Sequence, residues 1–406
     1  MKVRDLELFV VGNPPPGFGG RYFQFVKLTA DDGTVGYGEV YAAAVGPRAM
    51  TAVIEDVFQR HLEGESPFET ERFVRSCYGS GFTQRPDPTV MGAASGLEMA
   101  CWDLVGKALD RPVRDLLGGT VHRALRSYTY LYPKPDQDPA TFYADPDASA
   151  DAAADWVRQG VTALKFDPAG PYTRFGPHQP DMAILDRSEA FCRRVREAVG
   201  DKADLLFGTH GQFTPSGAAR LARRLEAYDP LWFEEPVPPD APEAMAQVAR
   251  ATCIPIAAGE RLTTKTEFAR LLRHEAANIL QMNLGRVGGL LEAKKIAGMA
   301  EAHQAQIAPH LYCGPIVGAA NLQIAAASPN FLILEGIGRW DGFHADLLKT
   351  PIRWEEGYVI PPDAPGLGVE LDEAVARAHP YDGDRLHLEM QPDPFDTRRT
   401  GLFAGG

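Results

Sequence analysis

Apolar and polar positions alternate along the first forty residues. Runs at 6–11, 22–28 and 35–41 read as strands, the last two joined by an Asp31-Asp32-Gly33 turn, and together they predict an antiparallel meander. Between the first two runs lies Gly12-Asn13-Pro14-Pro15-Pro16-Gly17-Phe18-Gly19-Gly20, whose composition suits either a binding loop or a plain surface connection. Helical spacing follows at 50–61, 68–78 and 93–109, so residues 1–122 predict an α+β domain.

From about residue 125 the pattern changes. Short, almost wholly apolar runs at 128–132, 161–166, 205–207, 231–233, 254–258, 279–282, 306–308 and 331–334 alternate with amphipathic stretches such as 218–228 and 290–303. Runs of this kind fit parallel strands buried on both faces and covered by helices. Polar residues stand at their C-terminal ends: Lys165, His210, Glu234, Glu260, Asn283, His310 and Glu335. The strand-end positions 208, 234, 260, 283, 310 and 335 are 26, 26, 23, 27 and 25 residues apart, one βα unit per step. Eight units closing into a barrel bring those groups to one mouth, whereas a doubly wound open sheet would not. The expected fold class is thus α/β, with a capping domain over residues 1–122, a barrel over 123–340 and a loop-rich segment 341–406 that packs back on the cap.

Composition narrows the partners. Forty-one Lys and Arg against 54 Asp and Glu give a net charge of −13, which argues against nucleic acid because phosphate binding needs a basic surface. No run approaches the ~18 apolar residues of a membrane span, and the N-terminus leads straight into a strand, so a cytoplasmic protein without membrane contact is expected. The five cysteines form no CxxC pair and read as buried free thiols.

The strand-end residues carry the chemistry. A carboxylate at a buried strand end needs a compensating cation or donor. Glu234 and Glu260, on successive strands, suggest a hard divalent ion with Mg²⁺ the first choice, or else pairing with a base such as Arg261 or Lys165. His210 and His310 are suited to proton transfer near neutral pH. Lys165 is open as electrophile, base or salt-bridge partner, and Glu335 alone is unremarkable.

The chain resembles the enolase superfamily, mandelate racemase branch, and within it the sugar-acid dehydratases of the galactonate type. The resemblance spans nearly the whole chain and rests on six segments in order. These are Ala93-Ala94-Ser95-Gly96-Leu97-Glu98-Met99-Ala100-Cys101-Trp102-Asp103-Leu104-Val105-Gly106-Lys107, Trp232-Phe233-Glu234-Glu235-Pro236, Gly259-Glu260-Arg261, Gly285-Arg286-Val287-Gly288-Gly289, Ala308-Pro309-His310 and Pro365-Gly366-Leu367-Gly368-Val369-Glu370. It implies a modified TIM barrel, (β/α)7β, under an α+β cap, and three carboxylates holding Mg²⁺, which stabilises the enediolate formed when a base takes the proton α to a carboxylate. By position, Glu234 and Glu260 match the second and third metal ligands, and His310 the histidine base. Glu335 matches the acid that stabilises the intermediate, His210 the general acid for the departing hydroxide, and Lys165 the first lysine of a Lys-x-Lys pattern. A homo-oligomer is also implied.

Three positions depart from that pattern. Gly208 replaces the first metal-binding Asp, so the ligand set is incomplete unless water, substrate or His210 fills the gap. Asn283 replaces the Asp paired with the histidine base, so His310 is expected to be a weaker base or only a hydrogen-bond donor. Asp167 replaces the second lysine, which disfavours two-base racemisation. The leading expectation is a hydro-lyase that removes the α-proton with metal assistance and then eliminates water from a small-molecule sugar acid. A cycloisomerase or epimerase on the same scaffold, or a catalytically lapsed sugar-acid binding protein, are the alternatives. Arg21 and Arg85, in segments expected to close over the mouth, are candidate substrate-binding residues.

Overall fold

Alternation of buried and outward side chains shapes the first sheet, in which β1 (Val3–Gly12), β2 (Tyr22–Ala30) and β3 (Val35–Val40) run antiparallel in the order β1-β2-β3. The computed structural model describes residues 1–41, 44–82, 87–134 and 137–396. One face of the sheet packs Val26, Leu28 and Val40 against apolar residues of the helices Pro47–His61 and Pro88–Ala108, including Ile54, Leu97 and Leu104. Both helices begin with a proline, which suits a first turn whose N–H groups have no partner.

The barrel strands are β4 (Leu125–Tyr130), β5 (Ala163–Phe166), β6 (Asp204–Gly208), β7 (Trp232–Glu234), β8 (Ile256–Ala258), β9 (Ile279–Leu280), β10 (Gln306–Ile307) and β11 (Leu334–Gly336). They pair in parallel from β4 to β10, β11 pairs with β4, and a bridge between Ile307 and Phe331 closes the ring. Helices cover the first seven connections, and β11 is followed directly by the short helix Phe343–Asp346 in place of a covering helix, which is the (β/α)7β arrangement. Each of the eight apolar runs supplies one side chain to the barrel interior: Tyr128, Ala163, Leu206, Trp232, Ala257, Ile279, Ala308 and Ile333. Three alanines leave room for two large rings, and Tyr128 meets Trp232 edge to face with centroids 5.3 Å apart. Phe166, Phe207 and Phe233 point outward beneath the covering helices. A hairpin of β12 (Arg353–Glu355) and β13 (Tyr358–Ile360) then adds to the start of β4.

Cap and barrel are joined by buried carboxylates that accept backbone N–H groups. Glu39 on β3 receives Gly314 and Val317, at the start of the helix Pro315–Ala326. Glu98 receives Leu290 N at 2.8 Å and Leu291 N at 3.0 Å, capping the helix Gly289–Ala302, while Ser95 Oγ receives Gly288 N. Asp103 instead ties the cap to the C-terminal segment, receiving Tyr37 N and Leu367 N. Glycine is required opposite two of them: a Cβ at Gly289 (φ +85°) would stand 1.9 Å from Glu98 Oε2, and one at Gly366 (φ +74°) 2.1 Å from Asp103 Oδ1. The motif over residues 93–107 is therefore a joint between domains.

Four cysteines are buried and free, but Cys253 is exposed, contrary to expectation, because it lies in the polar turn before β8. Among the described residues no helix is long and apolar enough to cross a membrane. Trp232→Ala empties the largest ring from the barrel interior, and it should cost roughly 3–5 kcal/mol in urea unfolding. A loss under about 1 kcal/mol would mean that this layer does not hold the barrel closed.

Candidate functional site

The barrel strands end in a common mouth, and Lys165 at the end of β5 is its centre. Its ammonium lies 2.6 Å from Glu234 Oε1, 3.6 Å from Glu335 Oε1 and 3.7 Å from Glu260 Oε2, with all four side chains buried. Burial would lower the Lys165 pKa, but Glu234, Glu335 and Glu260 outweigh it and keep the cation charged. The other oxygen of Glu234 accepts Gln281 Nε2 at 2.7 Å and Trp232 Nε1 at 3.0 Å, so the interior ring layer also orients the site above it. Leu311 N donates to Glu335 Oε2.

Two histidines flank Glu260. His310 Nε2 is 3.5 Å from Glu260 Oε2 and 3.8 Å from Glu335 Oε2. His210 Nε2 is 4.0 Å from Glu260 Oε1. His210 adopts φ +47°, a conformation held by its neighbours, since Thr209 Oγ1 donates to the carbonyls of Glu234 and Glu235 and Gly211 N donates to Glu235 O. Its Nδ1 lies 2.9 Å from Asp167 Oδ2, although the ring N–H is off the direct line, so the contact is an ion pair more than an aligned hydrogen bond. Burial alone would lower the His210 pKa, yet Asp167, aided by Glu260, holds it at about 9. His310, on the other side, is held below the ordinary imidazole value by burial. Its Nδ1 is 2.9 Å from Asn283 Nδ2, and Asn283 Oδ1 accepts Gly285 N.

The structure brings Lys165, His210, Glu234, Glu260, Asn283, His310 and Glu335 together at one mouth. The Arg21 guanidinium holds the Leu386 carbonyl and Glu389, and so fastens the C-terminal segment. Arg85 lies outside the described residues. Arg261 pairs with Glu235, leaving Glu234 and Glu260 to Lys165. Sequence reasoning passed over Gln281 and Arg286, whose guanidinium donates to the Glu260 carbonyl and lies over Tyr41. Gln281 stands two residues before Asn283, the period that repeats a strand face, and this was the available signal.

Among the described residues no group of three or more His, Cys, Asp or Glu side chains is arranged to hold a metal ion. Glu234 and Glu260 nonetheless converge on one cation, the Lys165 ammonium. Of the mouth carboxylates, Glu260 and Glu335 repel Glu234, while Lys165, His210, His310 and Arg261 offset the charge around Glu260. Burial, with Glu260 and Glu335 adding to it, accordingly pushes Glu234 up to about 8 despite Lys165. Mg²⁺ commonly takes one or two carboxylates and keeps several waters, so the two glutamates fit it as a partial set.

Residues 148–375 match the enolase C-terminal domain-like family, and residues 19–118 match the N-terminal domain of mandelate racemase/muconate lactonizing enzymes. A D-xylonate dehydratase of Haloferax volcanii is 34% identical over 408 residues, covering 95% of this chain and 92% of that protein. A D-galactonate dehydratase of Ralstonia nicotianae is 35% identical over 366 residues, covering 87% and 90%. Among solved structures, a candidate mandelate racemase/muconate lactonizing enzyme from Labrenzia alexandrii DFL-11 is 64% identical, with TM-score 0.94 and coverage of 97% and 99%.

The His210 pKa is raised on folding, so the stabilisation from its pairing is complete below about pH 6.5 and disappears as pH rises through about 9. An NMR titration should place His210 near 9, and Asp167→Asn should bring it down to 6.5 or lower. A native value near 6.5 would mean that Asp167 does not pair with the ring.

Proposed function

The chain belongs to the mandelate racemase/muconate lactonizing enzyme family of the enolase superfamily, and from that premise we propose that it is a hydro-lyase that removes water from a polyhydroxy (sugar) acid to give a 2-keto-3-deoxy acid. The observation that carries this reading is the Lys165 ammonium among Glu234, Glu260 and Glu335, with a histidine on each side of Glu260. Two curated relatives named for sugar-acid dehydration support it.

Removing the proton α to a carboxylate creates a second negative charge beside the first, and the mouth must stabilise it. Lys165 would do so by transferring its ammonium from Glu234 to the substrate carboxylate, while Glu335 keeps it oriented from 3.6 Å. Glu234 and Glu260 would hold Mg²⁺, which when bound supplies a Lewis acid for the same charge. His210, protonated through neutral pH, is suited to give its Nε2 proton to the departing hydroxyl. The buried walls limit water, which strengthens each of these interactions.

The incomplete ligand set leads to a specific expectation. A Cβ at Gly208 would meet Asp167 Cβ at 3.5 Å, Lys165 Cε at 3.7 Å and Phe166 O at 3.8 Å, ordinary contacts with room for a side chain. Calorimetric titration should therefore show weak Mg²⁺ binding that tightens by about tenfold or more in Gly208→Asp and disappears in Glu234→Gln and Glu260→Gln. Incubation with a panel of aldonic and aldaric acids should yield a 2-keto-3-deoxy acid from at least one. Sugar-acid binding without product would favour the binding-protein reading, for which Gly208 is the supporting observation.

A further inference from the structure

The Asn283 amide decides which nitrogen of His310 carries the hydrogen. Asn283 Oδ1 accepts Gly285 N–H at 2.9 Å, so the amide atom 2.9 Å from His310 Nδ1 is the NH₂ group, which can only donate. A ring nitrogen that accepts this bond carries no hydrogen, and the neutral imidazole has its hydrogen on Nε2. Reversing the amide would set its NH₂ group against Gly285 N–H, and both Asn283 and His310 are buried away from water that might relieve the clash. Nε2 is the atom that faces Glu260 and Glu335 in the mouth. In this form it offers a hydrogen and has no lone pair to take one.

An acceptor stands on the opposite wall. Lys165 and Asp167 are two residues apart and share the inward face, while Phe166 between them turns outward against Phe191 and Phe207. The Asp167 side chain borders the space that Gly208 leaves open, its Cβ 3.5 Å from where a Cβ at that glycine would stand. Its Oδ2 contacts His210 Nδ1 at 2.9 Å.

We infer that the α-proton leaves toward β5, to Asp167, and that His310, held by Asn283 in the Nε2–H form, donates a hydrogen bond to the substrate instead of removing that proton. The inference rests on the dehydratase reading above and adds a stereochemical requirement: the hydrogen on C2 faces β5 and β6. The C2–H bond breaks, its proton goes to a carboxylate oxygen of Asp167, and its electron pair enters the enediolate. The C3–O bond then breaks with the enediolate's electrons, the departing hydroxide takes the Nε2 proton of His210, and water leaves. Asp167 then loses its proton to solvent and His210 takes one from solvent at Nε2, which restores both groups. Asn283 is a positioning residue in this scheme.

The test has two arms on the full-length protein. Long-range ¹H–¹⁵N spectra of histidine-labelled protein without substrate, with His310 assigned through His310→Gln, should show a pyridine-like Nδ1 and a pyrrole-like Nε2. In Asn283→Asp the Nδ1 signal should become pyrrole-like, and a protonated Nδ1 in the native neutral ring would overturn the inference. In D₂O, on any aldonic acid the protein converts, Asp167→Asn should lose C2–H exchange by about 10²–10⁴-fold while His310→Gln stays within about tenfold. The opposite pattern would return the base role to His310. If no sugar acid is converted, the dehydratase reading fails, and the spectra still decide the His310 tautomer.

Discussion

The Lys165 ammonium is what makes the barrel mouth possible. Carboxylates at buried strand ends would each be costly alone, and three of them stay together because one cation lies within 3.7 Å of all three. The cation in turn is tolerated in a buried position only because they surround it. Beneath this cluster the ring of Trp232 fills the barrel and its indole N–H reaches up to Glu234, so packing and charge share one residue. An ammonium is thus already in place at the mouth, held by carboxylate partners.

The second constraint is the joint between cap and barrel. Glu39, Glu98 and Asp103 lie outside the mouth; each accepts backbone N–H groups from beyond the cap, two of them at helix starts where such groups lack partners. These contacts fix where the cap sits, and with it Tyr41, whose ring lies 5.7 Å from that of His310. Segments that identify the family by sequence, such as residues 93–107, therefore serve the geometry of the mouth at a distance.

Much of the fold was legible because it follows from local pattern. All eight apolar runs became strands to within a few residues, since a parallel strand covered on both faces must be apolar throughout, and the 23- to 27-residue steps matched one strand and one helix each. The polar groups gathered at the mouth were legible for a related reason: residues that end such runs lie at the strand ends that form it. The partners of Arg21 were not legible, because Leu386 and Glu389 come from the far end of the chain. Gln281 and Arg286 were missed because their roles depend on neighbours on other strands.

The sequence by itself determined the barrel, the cap and the set of groups at the mouth, because strand period and residue type are local properties. It also set Gly208 and Asn283 at two of the strand-end positions. Only the tertiary structure decided what surrounds them. Whether Asn283 presents its oxygen or its NH₂ group to His310 depends on Gly285 N–H, and whether His210 gains a carboxylate depends on the pairing of β5 with β6 that sets Asp167 beside it. Hydrogen-bond direction and charge compensation are relations between distant residues, and three-dimensional closure is what brings those residues into contact.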